Sequence, residues 1–371
     1  MKTSIPRQIA ILCSFAFTIV AQSAQGASDA KGREARIDRA PETAAAAKPS
    51  SVPLRFTSGI CSIFEDSRGR FWFGSHSEGV GRWDGHEFSY YTVADGLSGN
   101  HVRTIQEDAA GNLWFGTGQG ISRFDGKSFT TPVGRNQDDR NVTLGPTWRK
   151  EAGDLWFLGD SGKPAAPFNG QGVYRLDGRG LEFLPFPVPA EVANRGDFRV
   201  TSISRARNGL IWFGTYPAVF GYDGRNFTIL DDRTLGLAAE EEPFHVRSVF
   251  EDSRGVLWIG NNGLGVLRYD GRSLSNFTKQ QGLSLKDKGA SGSLSRVFSI
   301  AEDAAGNMWF DTRDSGVWRY DGERLTHFTE RDGLTSSMVW TIYRDRRDRL
   351  WFGLGDGSVY RFNGTSFDKV N

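Results

Sequence analysis

The strongest constraint on this chain is that it repeats one stretch seven times. The cleanest copy runs from Val102 to Thr130 and reads V-R-T-I-Q-E-D-A-A-G-N-L-W-F-G-T, then G-I-S-R-F-D-G-K-S-F-T. A tryptophan anchors each copy: Trp72, Trp114, Trp156, Trp212, Trp258, Trp309 and Trp351. Subtraction gives spacings of 42, 42, 56, 46, 51 and 42 residues. A period of about 40–45 residues with occasional insertions suits a four-stranded propeller blade.

Each copy reads as four short strands, a to d. The three successive apolar residues of strand b (Leu113, Trp114, Phe115) suit a strand buried on both faces, as between neighbouring blades. The repeated tryptophans are therefore read as inter-blade core. Strands c and d are joined by Asp125-Gly126, a dipeptide that recurs as Asp84-Gly85, Asp177-Gly178, Asp223-Gly224, Asp270-Gly271 and Asp321-Gly322, with Asn363-Gly364 in the last copy. It predicts a two-residue hairpin of the type needing φ > 0 at both positions. The expected fold is all-β: a seven-bladed β-propeller of four-stranded antiparallel blades with strand a innermost, over residues 51–371. The copies begin at Ile60, Val102, Val142, Val200, Val246, Val297 and Val339. Copy three is the most degraded and lacks the Glu-Asp pair of the a–b turn, and copy six carries Asp311 where five copies have Gly. The recurring pairs (Glu65-Asp66, Glu107-Asp108, Glu251-Asp252, Glu302-Asp303) are too uniform for an active site. They read as carboxylates that pin a turn by accepting backbone N–H groups.

Ahead of the repeats, residues 1–26 have the pattern of a secretory signal. Lys2 and Arg7 form a positive start, Ile9 to Ala21 a short apolar run, and Ala24-Gln25-Gly26 a small-residue cleavage site. Residues 27–50, rich in Ala, Lys, Arg and Glu, read as a flexible linker. Removal of the leader takes Cys13 with it and leaves Cys61 without a partner for an internal disulfide. Lys and Arg total 45 against 44 Asp and Glu, a net charge of +1, which argues against a general nucleic-acid footprint. No stretch beyond the leader approaches membrane-spanning length, so no stable span is expected after cleavage, and the expected location is the periplasm or outside the cell.

The run from Glu251 to Thr278, E-D-S-R-G-V-L-W-I-G-N followed by G-V-L-R-Y-D-G-R-S-L-S-N-F-T, resembles the two-component regulator propeller repeat. The resemblance extends from Ile60 to about Asp368. Such repeats are common in periplasmic sensors of hybrid histidine kinases, ahead of a second β domain, a membrane helix and a kinase core. Here the repeats run to Asn371, so the resemblance implies a fold and a sensing or binding role, not kinase activity. There is a looser similarity to streptogramin lyase, a seven-bladed propeller whose site uses a Glu/His pair on one face.

Loop lengths locate the working face. The a–b and c–d turns are short. Long connections fall at residues 134–141, 185–198, 231–245 and 279–296 between d and a, and at 160–171 between b and c, all on the opposite rim. Candidate ligand-binding residues on that rim are His76, His101, Arg103, Arg199, Tyr216, His245, Arg247, Arg296, Arg313, Asp314 and Trp340. His76 and His101 come from adjacent blades and are expected to approach each other. His245 lies nearly across the ring from His101, and no metal-type Cys or His spacing exists, so neither metal nor cofactor is expected. Arginine with aromatic neighbours suits polar or carboxylated ligands, including glycans. Two functions follow. The favoured one is a non-catalytic exported propeller binding such a ligand or an envelope protein, linked to envelope sensing. The alternative is a lyase- or hydrolase-type enzyme using an acid/His pair such as Glu241 or Glu242 with His245. If the leader reading holds, mass spectrometry of exported material finds an N-terminus near Ala27; an intact Met1 on cytoplasmic protein would overturn it.

Overall fold

The computed structural model describes residues 54–134, 143–144, 147–159, 171–188, 193, 196–237, 243–285 and 292–370. The expected leader and linker, Glu241, Glu242 and much of the long connections lie outside the described residues. The rest forms seven four-stranded sheets, the blades of a propeller. In six of them the order is a-b-c-d, antiparallel throughout. Their inner strands are Ile60–Glu65, Val102–Glu107, Val200–Arg205, Val246–Glu251, Val297–Glu302 and Val339–Arg344.

Strand b carries the packing. In these six blades it spans Phe71–Ser75, Leu113–Thr117, Ile211–Thr215, Leu257–Asn261, Met308–Thr312 and Leu350–Leu354, and every residue is buried. The glycine of W-F-G is a close-approach position. A Cβ at Gly353 would stand 2.8 Å from Ile60, and one at Gly260 would stand 2.8 Å from the Val297 carbonyl oxygen, each on the next blade. The tryptophan edge is polar and buried, so it needs an acceptor. In five blades its Nε1 donates at 2.8 Å to the aspartate of its own a–b turn: Trp72 to Asp66, Trp114 to Asp108, Trp258 to Asp252, Trp309 to Asp303 and Trp351 to Asp345. The other oxygen of that carboxylate accepts two backbone N–H groups of the turn, as Asp108 does from Ala110 and Asn112. The glutamate beside it reaches the preceding blade: Glu107 accepts from Ser67 N at 2.7 Å, Glu302 from Ser253 N at 2.9 Å, and Glu65 from Arg346 N at 2.9 Å. The turn-pinning role expected of these carboxylates is therefore present, with an inter-blade role added.

Two expectations are corrected. The Asp-Gly hairpin is a four-residue loop in six blades, since Trp83 pairs with Phe88 and Phe124 with Phe129. Only the glycine takes positive φ, as at Gly85 (102°) and Gly126 (99°). The aspartate instead accepts the N–H groups two and three residues on, Asp84 from His86 and Glu87, an arrangement that needs a single left-handed residue. Blade three departs further. Its order is Leu155–Leu158, Gly172–Asp177, Gly180–Pro185, then Thr143–Leu144 pairing parallel on the outer side. The inner edge belongs to the b-type strand, and the strand a expected from Val142 is not found among the described residues. Trp148 packs among Trp156, Phe186, Phe213, Tyr222 and Phe227 and donates to the Pro185 carbonyl at 2.7 Å. The uncovered edge is satisfied from both neighbours: Gln106 Nε2 donates to the Trp156 carbonyl at 2.7 Å, and Arg205 to the Asp154 carbonyl at 2.8 Å.

Ring closure joins blades seven and one. Leu54 and Phe56 are buried in one cluster with Phe71, Phe73, Trp351 and Val359, and Val370 packs against it. Residues 54–59 thus meet the C-terminal end without forming a strand; the outer strand of blade seven is Phe367–Lys369. Trp114→Ala is expected to lower unfolding free energy by ~3–5 kcal/mol. Glu65→Ala is expected to cost ~1–3 kcal/mol by leaving the Arg346 N–H without its acceptor at the closing junction. Denaturant midpoints equal to wild type would contradict both roles.

Candidate functional site

The site follows from one irregularity repeated around the ring. In five blades the a–b register slips between the first and third residues of strand a, and in blade six between Val297 and Ile300. A bulge re-aims a side chain. The residue at the slip is Cys61, Arg103, Thr201, Arg247, Phe298 and Trp340 in successive blades, and all six line one central cavity of about 870 Å³. Two further repeat positions form its rim. The residue before strand a contributes His101, and the residue after strand b contributes His76 and Arg313. Backbone bonds fix these two positions against each other, as from His76 N to the Gly59 carbonyl (2.8 Å) and from Gly118 N to the His101 carbonyl (3.0 Å). At blade three, where no inner strand is found among the described residues, the cavity runs outward to Trp156 and Leu158.

The cavity is cationic. Arg103, Arg205, Arg247 and Arg313 line it together with two histidines, and no carboxylate is among its described lining residues. Arg247 lies between the rings of Tyr216 (5.2 Å) and Phe298 (5.1 Å). Its Nε is buried and has no hydrogen-bond partner. Burial, opposed by the Tyr216 hydroxyl and reinforced by Arg313 and Arg103, holds its pKa below the ordinary arginine value. His245 meets Tyr216 edge to face at 4.5 Å, and burial followed by the Arg247 charge keeps its imidazole below its usual pKa.

Across the rim, His76 and His101 stand 4.4 Å apart between ring centroids, as adjacent blades predict, and Trp340 meets His76 edge to face at 5.0 Å. Cys61 joins them: its Sγ and one nitrogen of each histidine lie within 4.8 Å of one another. Burial pushes the Cys61 thiol up to about 12, against the opposing effect of Arg103.

Of the residues expected from sequence, His76, His101, Arg103, Arg247, Arg313 and Trp340 line the cavity, and Tyr216 and His245 join through Arg247. Three are engaged locally. Arg199 pairs with Asp197 at 2.6 Å, and Arg296 pairs with Asp314 at 3.1 Å. Cys61, Gln106, Arg205 and Trp156 were not foreseen. The first was signalled by its place one residue after the start of strand a, the position that supplies Arg103 and Arg247.

The fold and channel define a seven-bladed propeller with a positively charged central mouth. The two-component regulator propeller family matches at residues 56–77, 96–119, 245–263 and 333–356, within four of the seven copies. A stretch of 56 residues is 36% identical to Histidine kinase P4 of Formosa agariphila, covering 15% of this chain and 4% of that protein. The extracellular domain of a protein described as a hybrid two-component system of B. thetaiotaomicron superposes with a TM-score of 0.59 at 18% identity, over 85% of this chain and 41% of that one. Virginiamycin B lyase of Staphylococcus aureus superposes at 0.58 with 15% identity, over 83% of this chain and 95% of that one. At these identities the shared feature is the fold. The chain spans less than half of the two-component system domain and a small part of the kinase. Among the described residues no helix is long and apolar enough to cross a membrane.

One buried titratable group lies behind the rim. Asp311 replaces the close-approach glycine in blade six and is fully buried. Its Oδ1 accepts from Phe298 N (3.0 Å) and Ser299 N (2.7 Å), the two N–H groups freed by the bulge, while Oδ2 has no partner. Burial raises its pKa well above the ordinary carboxylate value, outweighing those two bonds. A raised folded pKa means that its contribution is fully present below the unfolded value and is lost as pH rises toward the folded one. Asp311→Asn keeps the acceptor and removes the buried charge. It is expected to raise Tm by a few degrees at neutral pH, with the gain shrinking toward zero near pH 4; a gain that grows on acidification would contradict the buried acid.

Proposed function

We propose that this chain is a non-catalytic, exported propeller that binds an anionic, carboxylate-bearing ligand at its channel mouth on behalf of an envelope sensing system. The observation that carries the reading is the cavity lining: four arginines, two histidines and no carboxylate among the described residues. A guanidinium held between two rings with a buried N–H lacking a partner is a preformed half of a charge-assisted pair, and such pairs discriminate strongly against neutral analogues. The aromatic neighbours Trp340, Phe298 and Tyr216 offer flat apolar surface of the kind that stacks on sugar rings. The sensing role is supported by the family repeats and by the likeness to extracellular domains of two-component proteins. An acidic segment of an envelope protein would present the same chemistry to this mouth.

Isothermal titration with uronic-acid oligosaccharides and their neutral counterparts tests the reading. The acidic series is expected to bind with affinity falling as salt rises, and Arg247→Ala is expected to weaken it by about tenfold or more. Equal binding of neutral and acidic sugars, or an Arg247→Ala protein that binds as wild type does, would overturn it.

A further inference from the structure

We propose that Cys61, His76 and His101 form a binding site for a borderline transition-metal ion, Zn²⁺ above all, at the junction of blades one and two. The three donors are one sulfur and two imidazole nitrogens, a set that selects zinc-class ions over Mg²⁺ or Ca²⁺, which take oxygen ligands. All three donor atoms lie within 4.8 Å of one another. Bond lengths of about 2.0–2.1 Å to nitrogen and 2.3 Å to sulfur put tetrahedral donors roughly 3.4–3.7 Å apart. The cluster therefore needs to contract by about an ångström. His76 is exposed and can supply that movement by rotating its side chain, while Cys61 and His101 are part-buried and held on or beside inner strands.

The supports are rigid. Cys61 sits at the bulge of Ile60–Glu65. The backbone of His76 is tied to Gly59 and that of His101 to Gly118. Trp340 closes the side toward blade seven: it packs on Gly59, where a Cβ would stand 2.8 Å from its ring, and meets His76 edge to face. The remaining side opens to the cavity, which is lined by all three donors. Three protein ligands with the fourth position facing a cavity are the arrangement of an open zinc site, not of a closed structural one. The donors come from positions 61, 76 and 101, with spacings unlike any linear zinc motif, because ring geometry and not local sequence assembles them. This proposal is independent of the anion reading, since its readout is the metal itself.

Untagged, metal-free protein titrated with Co²⁺ tests it. A thiolate-to-cobalt charge-transfer band in the near ultraviolet is expected, saturating at one equivalent and abolished by added Zn²⁺. Cys61→Ser removes the band, and His101→Ala or His76→Ala weakens Zn²⁺ binding by about 100-fold or more, at least the loss seen when outer-shell partners are removed. His86→Ala, an exposed histidine on a c–d loop of the opposite rim, leaves both unchanged. Zn²⁺ is further expected to raise Tm of the wild type but not of Cys61→Ser. If Cys61→Ser fails to fold, the exposed His76→Ala carries the same comparison. Folded wild type with no cobalt band, or Zn²⁺ raising Tm equally in wild type and His76→Ala, would overturn the site.

Discussion

The carboxylates of the a–b turns hold this ring in register. Apolar burial between blades is large but non-directional, and alone it does not fix how one sheet sits against the next. The turn aspartate holds the indole edge of its own blade at 2.8 Å and the N–H groups of its own turn. The neighbouring glutamate takes an N–H from the blade before. Where the sequence lacks that glutamate, another group spans the junction. Gln106 reaches Trp156 between blades two and three, Arg205 reaches Asp154 between three and four, and Arg344 reaches the Glu302 carbonyl between six and seven. Glu251 accepts from Trp212 Nε1 at 2.7 Å between four and five, taking the place of the missing turn aspartate at Ala206. With the Ser67, Ser253 and Arg346 bonds, every junction carries a polar link. Polar links of this kind are directional, so they favour the one packing that satisfies them.

The fold was legible in the sequence because each blade repeats its whole packing unit. The period of Trp72 to Trp351, the all-apolar strand b and the short turns leave few alternatives. The loop conformation after Asp84 was less legible. Asp-Gly allows both a two-residue turn and a wider loop in which the aspartate accepts two N–H groups, and strand register decides between them. Blade three was misread because copy three keeps L-W-F while losing the turn carboxylates that would anchor a strand a. Its buried Arg175 shows the substitute. Burial opposes the charge there, and bonds to Asp154 and Glu182 at 2.7 and 2.6 Å outweigh it.

The candidate site was legible by repeat position and not by residue type. Arg199, Arg296 and Arg247 all lie at starts of inner strands, yet only Arg247 faces the cavity. The other two find carboxylates, Arg199 at Asp197 in its own loop and Arg296 at Asp314 on the b–c loop of the same blade. Whether such a partner exists depends on loop path, which the repeat pattern does not encode. Cys61 was not legible as a site residue for the opposite reason. As a single thiol it suggested no pairing, and the imidazoles beside it are brought there by folding from 15 and 40 residues away (76 minus 61, 101 minus 61).

The bulge explains how a repetitive scaffold carries a non-repetitive site. Residues one and four of strand a are buried between blades in most copies, as Val102 and Ile105 are, and the glycine of strand b has no room for a side chain. These positions cannot change without repacking a junction. The residue at the slip lines the channel, and its chemistry differs from blade to blade. Around the ring it is thiol, guanidinium, hydroxyl, guanidinium, phenyl and indole. Blade three adds the second source of asymmetry: among the described residues it has no inner strand to supply such a residue, and the cavity widens toward Trp156. The donors of blades one and two therefore gather on one arc, while Arg247 and Arg313 come from blades five and six on another. A ligand in the mouth meets different chemistry on its two sides, which a ring of seven equal blades would not offer.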